Sequence, residues 1–301
     1  RPSVDPARRG TDTPSASIPE LPALTSMPTA LPYPLLRGLL ALSLCLLSTG
    51  VLAADARIAI AANVTAAARE IAADFQAATG HRLGLSFGGT GQLYAQISQG
   101  APFDVLLAAD QARPERAERE GLAVPGSRFT YAIGRLALYS ADPRRVRDAQ
   151  ALQATDLTRL AIANPVTAPY GAAAVAALQA LGQYDRLQPR LVQGANIAQA
   201  YQFVATGNAE LGLVAYAQIV GHREGSRWLV PQPLHPRIAQ DAVLLTHGTD
   251  NPAARAFLDY LRGPAARAIL RRYGYSLPTT DAPAASATPP APPPTRPPTL
   301  P

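Results

Sequence analysis

Between Asp55 and Asp281 the chain alternates short apolar runs with longer alanine-rich stretches, and this alternation constrains its fold more than any other feature of the 301 residues. RIAIAA (57–62), RLGLSF (82–87), DVLLAA (104–109), RLALYS (135–140), RLAIAN (159–164), LGLVAY (211–216) and DAVLLT (241–246) read as strands. Between them the apolar spacing lengthens to three and four, as in a helix laid on a sheet. In TAAAREIAADFQAATG, Ala67, Ile71, Phe75 and Ala78 share one face. Arg69, Glu70, Asp74 and Gln76 point away, and Gly80 supplies the stop. Further helices are predicted near 90–99, 111–120, 171–181, 197–206 and 251–262. There is no tandem repeat of fixed period.

This order places the chain in the α/β class with largely parallel sheets. Periodicity alone permits one sheet or two. The favoured arrangement is two αβ lobes with a ligand cleft between them, joined by extended crossings near 132–136 and 236–241. Residues 54–134 form the first part of lobe 1, 135–240 form lobe 2, and 241–281 return to lobe 1.

With 48% hydrophobic and 16% charged residues, the body can bury substantial cores. The net charge of +6 does not select a nucleic-acid partner. All 27 basic residues are arginine, scattered along the chain with never more than two adjacent rather than gathered into a stripe.

The ends differ in composition from the body. After Arg37 the run GLLALSLCLLSTGVLAA has the basic flank, apolar centre and small-residue exit of an export signal. It is shorter than the roughly 20 residues of a membrane span. Residues 27–53 are therefore expected as a signal peptide cut after Ala53, directing the chain to the periplasm with no membrane span in the mature form. Leu44 stands where a lipoprotein signal would place a small residue before Cys45. Residues 1–26, ahead of the single methionine Met27, are expected to be upstream translation or disordered. Residues 282–301 are expected as a proline-rich disordered tail.

In open α/β sheets, ligands gather where strands end and helices begin, because helix N-termini expose unpaired N–H groups carrying partial positive charge. Four such junctions stand out: IAIAANVT presents Asn63, LSFGGTGQL presents Gly88, Gly89 and Thr90, IANPVTAPYGAAA presents Tyr170 and Gly171, and VQGANIAQA presents Asn196 and Ile197. Asn63, Thr90 and Asn196 suit helix caps, and the glycines permit close backbone approach. Any one junction serves mainly to start a helix. Two in each lobe can together ring an anion with neutral donors.

Catalytic constellations are not apparent. His81, His222, His235 and His247 show no metal-ligand spacing and read as surface or loop residues. GGTGQL lacks the Lys-Ser/Thr ending of a phosphate loop, and there is no GxSxG elbow. No cysteine follows the export signal. Tyr273 and Tyr275 read as core packing rather than as a paired-tyrosine iron site. The chain reads as a non-enzyme that needs no cofactor.

AANVTAAAREIAADF, SFGGTGQLYAQISQGAPFDVLLAADQ (86–111), LAIANPVTAPYGAAAVAALQALG (160–182), LGLVAYAQIV (211–220) and AFLDYLRGPAARAILRRYGY (256–275) resemble the periplasmic molybdate-binding proteins of ABC transporters. These have the type 2 periplasmic-binding fold, and the resemblance covers roughly 55–278. It implies capture of molybdate or tungstate by a monomer, with an ABC importer permease as partner and no nucleic acid. By position, the family's ligand residues fall on Asn63, Thr90, Tyr170 and Ile197. A further family tyrosine falls on Ala215, where this chain departs. Tyr170 is expected to supply the missing hydroxyl, with Tyr216 as a lesser substitute. The competing readings are a sulfate or other oxyanion binder and the effector domain of a transcription regulator. The latter would need a helix-turn-helix where the export signal stands.

Overall fold

The computed structural model describes residues 54–278. The calls on 1–26, on the signal peptide at 27–53 and on the tail at 282–301 lie outside the described residues.

Two five-stranded sheets organise the chain. The first contains β1 (Asp55–Ala61), β2 (Arg82–Gly88), β3 (Val105–Leu107), β4 (Phe129–Gly134) and β10 (Ile238–Leu244), in the order β2-β1-β3-β10-β4. The second contains β5 (Leu136–Ser140), β6 (Leu160–Ala163), β7 (Leu191–Gly194), β8 (Leu211–Ala215) and β9 (Ser226–Leu229), in the order β7-β6-β8-β5-β9. The chain crosses at Arg135, between β4 and β5, and again between Leu229 and Ile238. The return strand begins at Ile238, so 238–240 belong to the first sheet rather than to lobe 2.

Each sheet is mixed, not largely parallel. β1 pairs in parallel with β2 and β3, while β10 pairs antiparallel with β3 and β4. The second sheet repeats this scheme, with β6 parallel to β7 and β8, and β5 antiparallel to β8 and β9. The parallel neighbours are joined by helical crossovers, whereas β5 and β10 are entered from the other lobe, without a helix that would return the chain in the same direction.

All seven apolar runs form strands. The three missed strands, β4, β7 and β9, lie at sheet edges. An edge strand has one paired neighbour and less apolar cover, so LVQG and SRWL lack the continuous apolar character that marks a central strand.

The helices are α1 (Thr65–Thr79), α2 (Thr90–Ser98), α3 (Ala112–Arg119), α4 (Pro169–Ala180), α5 (Tyr184–Leu187), α6 (Ile197–Ala205), α7 (Pro252–Arg262) and α8 (Pro264–Arg272). α1 buries Ala67, Ala68, Ile71 and Phe75, and the expected core residue Ala78 is exposed in its last turn. Gly80 closes α1 with φ of 75° and donates its N–H to the Gln76 carbonyl. α1, α7 and α8 share a core on one side of the first sheet, and Leu93, Tyr94, Ile97 and Ala117 from α2 and α3 form another. α4 packs on the second sheet through Tyr170, Ala173, Ala174, Ala177 and Leu178. That core also takes in Ala61, Ala62 and Ala109 from the first lobe, so the lobes share a packed floor.

Candidate oxyanion pocket

Ala61–Asn63, Gly88–Thr90 and Ala109 from the first lobe meet Ala168–Tyr170 and Ile197 from the second around a narrow cavity of about 10 Å³. The structure thus brings Asn63, Thr90, Tyr170 and Ile197 together, and all four are almost fully buried. No charged side chain lines this cavity. A wider opening of about 310 Å³ adjoins it at Ala109, Ala168 and Pro169, and there Asp110, Arg113 and Arg237 appear.

The four residues arrive by different local routes. Asn63 lies in a 3-10 turn (Ala62–Val64) between β1 and α1, and its side chain caps no helix. Its Nδ2 donates to Gln240 Oε1 at 2.8 Å and to Tyr275 Oη at 3.0 Å. Both amide protons are therefore committed inward, contrary to the expected cap, and Oδ1 is buried without a hydrogen-bond partner. Thr90 is the first residue of α2 rather than its cap, which is Gly89. Its Oγ1 accepts from the Ala109 N–H at 3.0 Å, leaving the hydroxyl proton for another acceptor.

Pro169 opens α4, where its fixed φ and missing N–H are tolerated, and Tyr170 follows it. The Tyr170 side chain is 1% exposed, and its Oη accepts from Gln240 Nε2 at 3.3 Å. Burial holds its phenol well above the ordinary tyrosine range, with the bond from Gln240 countering only in part, so it remains a neutral donor. Gly171 serves packing rather than ligand approach, since a Cβ there would stand 2.2 Å from the Ala163 carbonyl oxygen. Asn196 caps α6 as expected, its Oδ1 accepting from Ala198 N at 3.0 Å and Gln199 N at 3.1 Å. The cap leaves the Ile197 N–H as the first-turn donor facing the junction.

Ala215 is fully buried at the end of β8, donates its N–H to Gln218 Oε1 and does not line the cavity. Tyr216 is turned elsewhere: the Arg135 guanidinium lies over its ring at 5.1 Å, and the ring edge abuts Gly274.

Two contacts tie the lobes beside the cavity: Gly91 N–H donates to Thr167 O at 2.8 Å, and Arg113 Nη2 donates to Val166 O at 3.0 Å. Arg113 is itself held by the Asp110 carboxylate.

Three residues behind the wall escaped sequence reasoning. Gln240, Tyr131 and Tyr275 are buried and hydrogen-bonded to one another or to Asn63. The usable signal was the polar Gln-Asp pair inside the apolar strand IAQDAVL. Tyr275 does pack in the core, as expected, but its hydroxyl also reaches Asn63. His81 and His235 are buried rather than superficial, each with its Nδ1 hydrogen-bonded to a main-chain group. Among the described residues no cluster of three or more His, Cys, Asp or Glu could hold a metal ion.

Residues 56–276 match the family model described as bacterial extracellular solute-binding protein. The chain is 52% identical over 248 residues to the molybdate-binding protein of Rhodobacter capsulatus, covering 82% of this chain and 98% of that one. It is equally 52% identical over 249 residues to a molybdate-binding protein of Azotobacter vinelandii, covering 81% and 99%. Among solved structures, a periplasmic molybdate-binding protein of Azotobacter vinelandii superposes with a TM-score of 0.73 at 39% identity, over 74% of this chain and 100% of that one.

Proposed function

The chain belongs to the bacterial extracellular solute-binding protein family, and from that membership we propose that it captures molybdate or tungstate and delivers it to the membrane permease of an ABC importer. One observation carries this reading: four strand-to-helix junctions, two from each lobe, converge on a buried cavity that no cationic side chain lines.

A dehydrated dianion is too costly to bury bare, so its water shell must be replaced donor for donor. The Thr90 and Tyr170 hydroxyls and the first-turn amides at Asn63, Thr90, Tyr170 and Ile197 are the replacements proposed here, reinforced by the helix N-termini behind them. Neutral donors on a rigid frame also discriminate by size. Sulfate is a smaller tetrahedron and leaves some donors too far away, while phosphate, partly protonated near neutral pH, brings a proton to a cage rich in donors. The Gly91 and Arg113 contacts across the cleft then hold the lobes over the ion and present the loaded shape to the permease.

In this reading residues 27–53 direct export to the periplasm, the mature chain works as a monomer, and neither a cofactor nor a nucleic acid takes part. Among the described residues no helix is long and apolar enough to cross a membrane.

Calorimetric titration of the mature chain with molybdate, tungstate, sulfate and phosphate tests the proposal. One-to-one binding of the first two is expected, with the others weaker by on the order of a hundredfold. Sulfate binding as tight as molybdate would replace the ligand assignment.

A further inference from the structure

Ala215 ends β8 fully buried, beyond the point where pairing with β6 stops, for that ladder joins only Leu160 and Ala161 to Leu211 and Gly212. A buried N–H must find a partner. Here the partner is a side chain: Gln218 Oε1, in the 3-10 turn after β8, accepts from the Ala215 N–H at 3.1 Å. The other end of the same amide leaves its own turn. Gln218 Nε2 donates at 3.2 Å to the carbonyl of Ile197, the first residue of α6. Both partners are main-chain groups, one able only to donate and the other only to accept. The amide therefore has one orientation, since reversal would set N–H against N–H and oxygen against oxygen.

α6 begins at the wall of the oxyanion pocket. In its first turn the Asn196 side chain takes the N–H groups of Ala198 and Gln199, and the Asn196 carbonyl takes that of Ala200. The Ile197 N–H is left without a protein partner among the described residues. The turn that carries Gln218 is fixed in its own right against the first lobe. Ala217 packs on the core of the first sheet, and Gly274 approaches Tyr216 so closely that a Cβ there would stand 2.5 Å from the ring. Gln218 thus ties the start of α6 both to the end of β8 and to the seam with the other lobe.

We propose that Gln218 is a positioning residue for the bound anion: by gripping the Ile197 carbonyl, it fixes the residue whose N–H the cage uses. Helix ends fray, and a hydrogen bond weakens steeply as its donor turns away from the acceptor. A clip at the first residue of α6 removes that freedom on the side away from the ion. This inference rests on the oxyanion reading above and adds to it what aims one of the donors.

Nuclear magnetic resonance on protein labelled with 15N-isoleucine tests it, with Ile197→Val identifying the Ile197 amide signal and calorimetry giving the affinity. In the parent, saturating molybdate should move the Ile197 amide proton strongly downfield, and an amide that does not move would refute the proposal at once. Gln218→Met keeps the bulk and removes both bonds. Its Ile197 shift at saturation is expected to be less than about half the parent's, and its affinity roughly tenfold weaker, the size of one hydrogen bond to a charged group. A parent-like shift, or an affinity within about twofold of the parent, would overturn the proposal. If only the unfolding midpoint fell, Gln218 would merely satisfy Ala215. Should Gln218→Met not fold, Gln218→Glu takes its place, keeping the acceptor for Ala215 but opposing the Ile197 carbonyl with a carboxylate. Its added charge is screened in 0.5 M NaCl, where a parent-like Ile197 shift at saturation would be equally fatal. The two readings fail separately: a parent that ignores all four oxyanions refutes the function, whereas an unaltered Ile197 shift in a variant that binds molybdate refutes only the role of Gln218.

Discussion

Tyr170 is buried, neutral and supplied with a proton from behind by Gln240, so its own hydroxyl proton is available to a ligand. Replacing it by Phe removes that proton while retaining the ring. Affinity for molybdate is expected to fall about 10- to 150-fold, corresponding to roughly 1.5–3 kcal/mol for a hydrogen bond to a charged group. A direct titration in which Tyr170→Phe matches the parent would remove the hydroxyl from the donor set, and with it the idea that Tyr170 makes up for Ala215. The raised phenol pKa carries a second expectation. Because the folded phenol ionises only above the ordinary tyrosine range, affinity should stay level from about pH 7 to about pH 9.5. A loss of binding centred below the ordinary phenol value of about 10 in the parent, and absent in Tyr170→Phe, would show a phenol far easier to ionise than its burial allows.

The helix starts do different work although the sequence presents them alike. α6 carries a side-chain cap from Asn196, whereas α2 begins at Gly89 and diverts Thr90 to the Ala109 amide. Thr90 thus offers a hydroxyl, and Ile197 a main-chain N–H that survives truncation of its side chain. Thr90→Val should therefore weaken molybdate binding by about tenfold or more, while Ile197→Ala should change it by less than about threefold. If Ile197→Ala costs as much as Thr90→Val in parallel titrations, side-chain packing rather than the helix-end amide governs that wall. Two of the missed edge strands were obscure for a reason at the same scale: β7 and β9 have a paired neighbour on one side only, and LVQG and SRWL show it, whereas β4, FTYAIG, is apolar and runs straight into the lobe crossing.

Across the whole molecule, the lobes meet beside the pocket through main-chain groups as well as Arg113. A Cβ on Gly91 would lie 2.9 Å from the Thr167 carbonyl oxygen that its N–H now contacts at 2.8 Å. Gly91→Ala should hold the lobes slightly apart, raising the molybdate dissociation rate in stopped-flow exchange while preserving the preference over sulfate. An unchanged dissociation rate would show that this contact does not retain the ligand. Because the cavity itself has no charged lining, affinity should drop less than about threefold between 0.05 and 0.5 M NaCl. A steeper dependence would implicate Arg113 or Arg237 at the mouth.

What the sequence determined on its own was local: apolar runs of strand length, helical spacing between them, and capping or glycine residues at the junctions, each written within a few neighbouring positions. Asn63, Thr90, Tyr170 and Ile197 were legible as junction residues, alongside Gly88, Gly89, Gly171 and Asn196, because a strand end followed by a helix start marks the same place in space wherever it occurs in an α/β sheet, and the family resemblance picked the four from among the eight. What only the tertiary structure decided was which groups of those residues face the cavity. Asn63 is oriented by Gln240, 177 positions away, and by Tyr275, 212 positions away, while Tyr170 is oriented by Gln240 across the lobe boundary. Local pattern carries no record of such pairings, because a buried amide or phenol must find its partner wherever folding leaves one. The orientation of these side chains follows from that long-range pairing of buried polar groups, and Gly134 leaves the space in which Tyr170 and Gln240 meet.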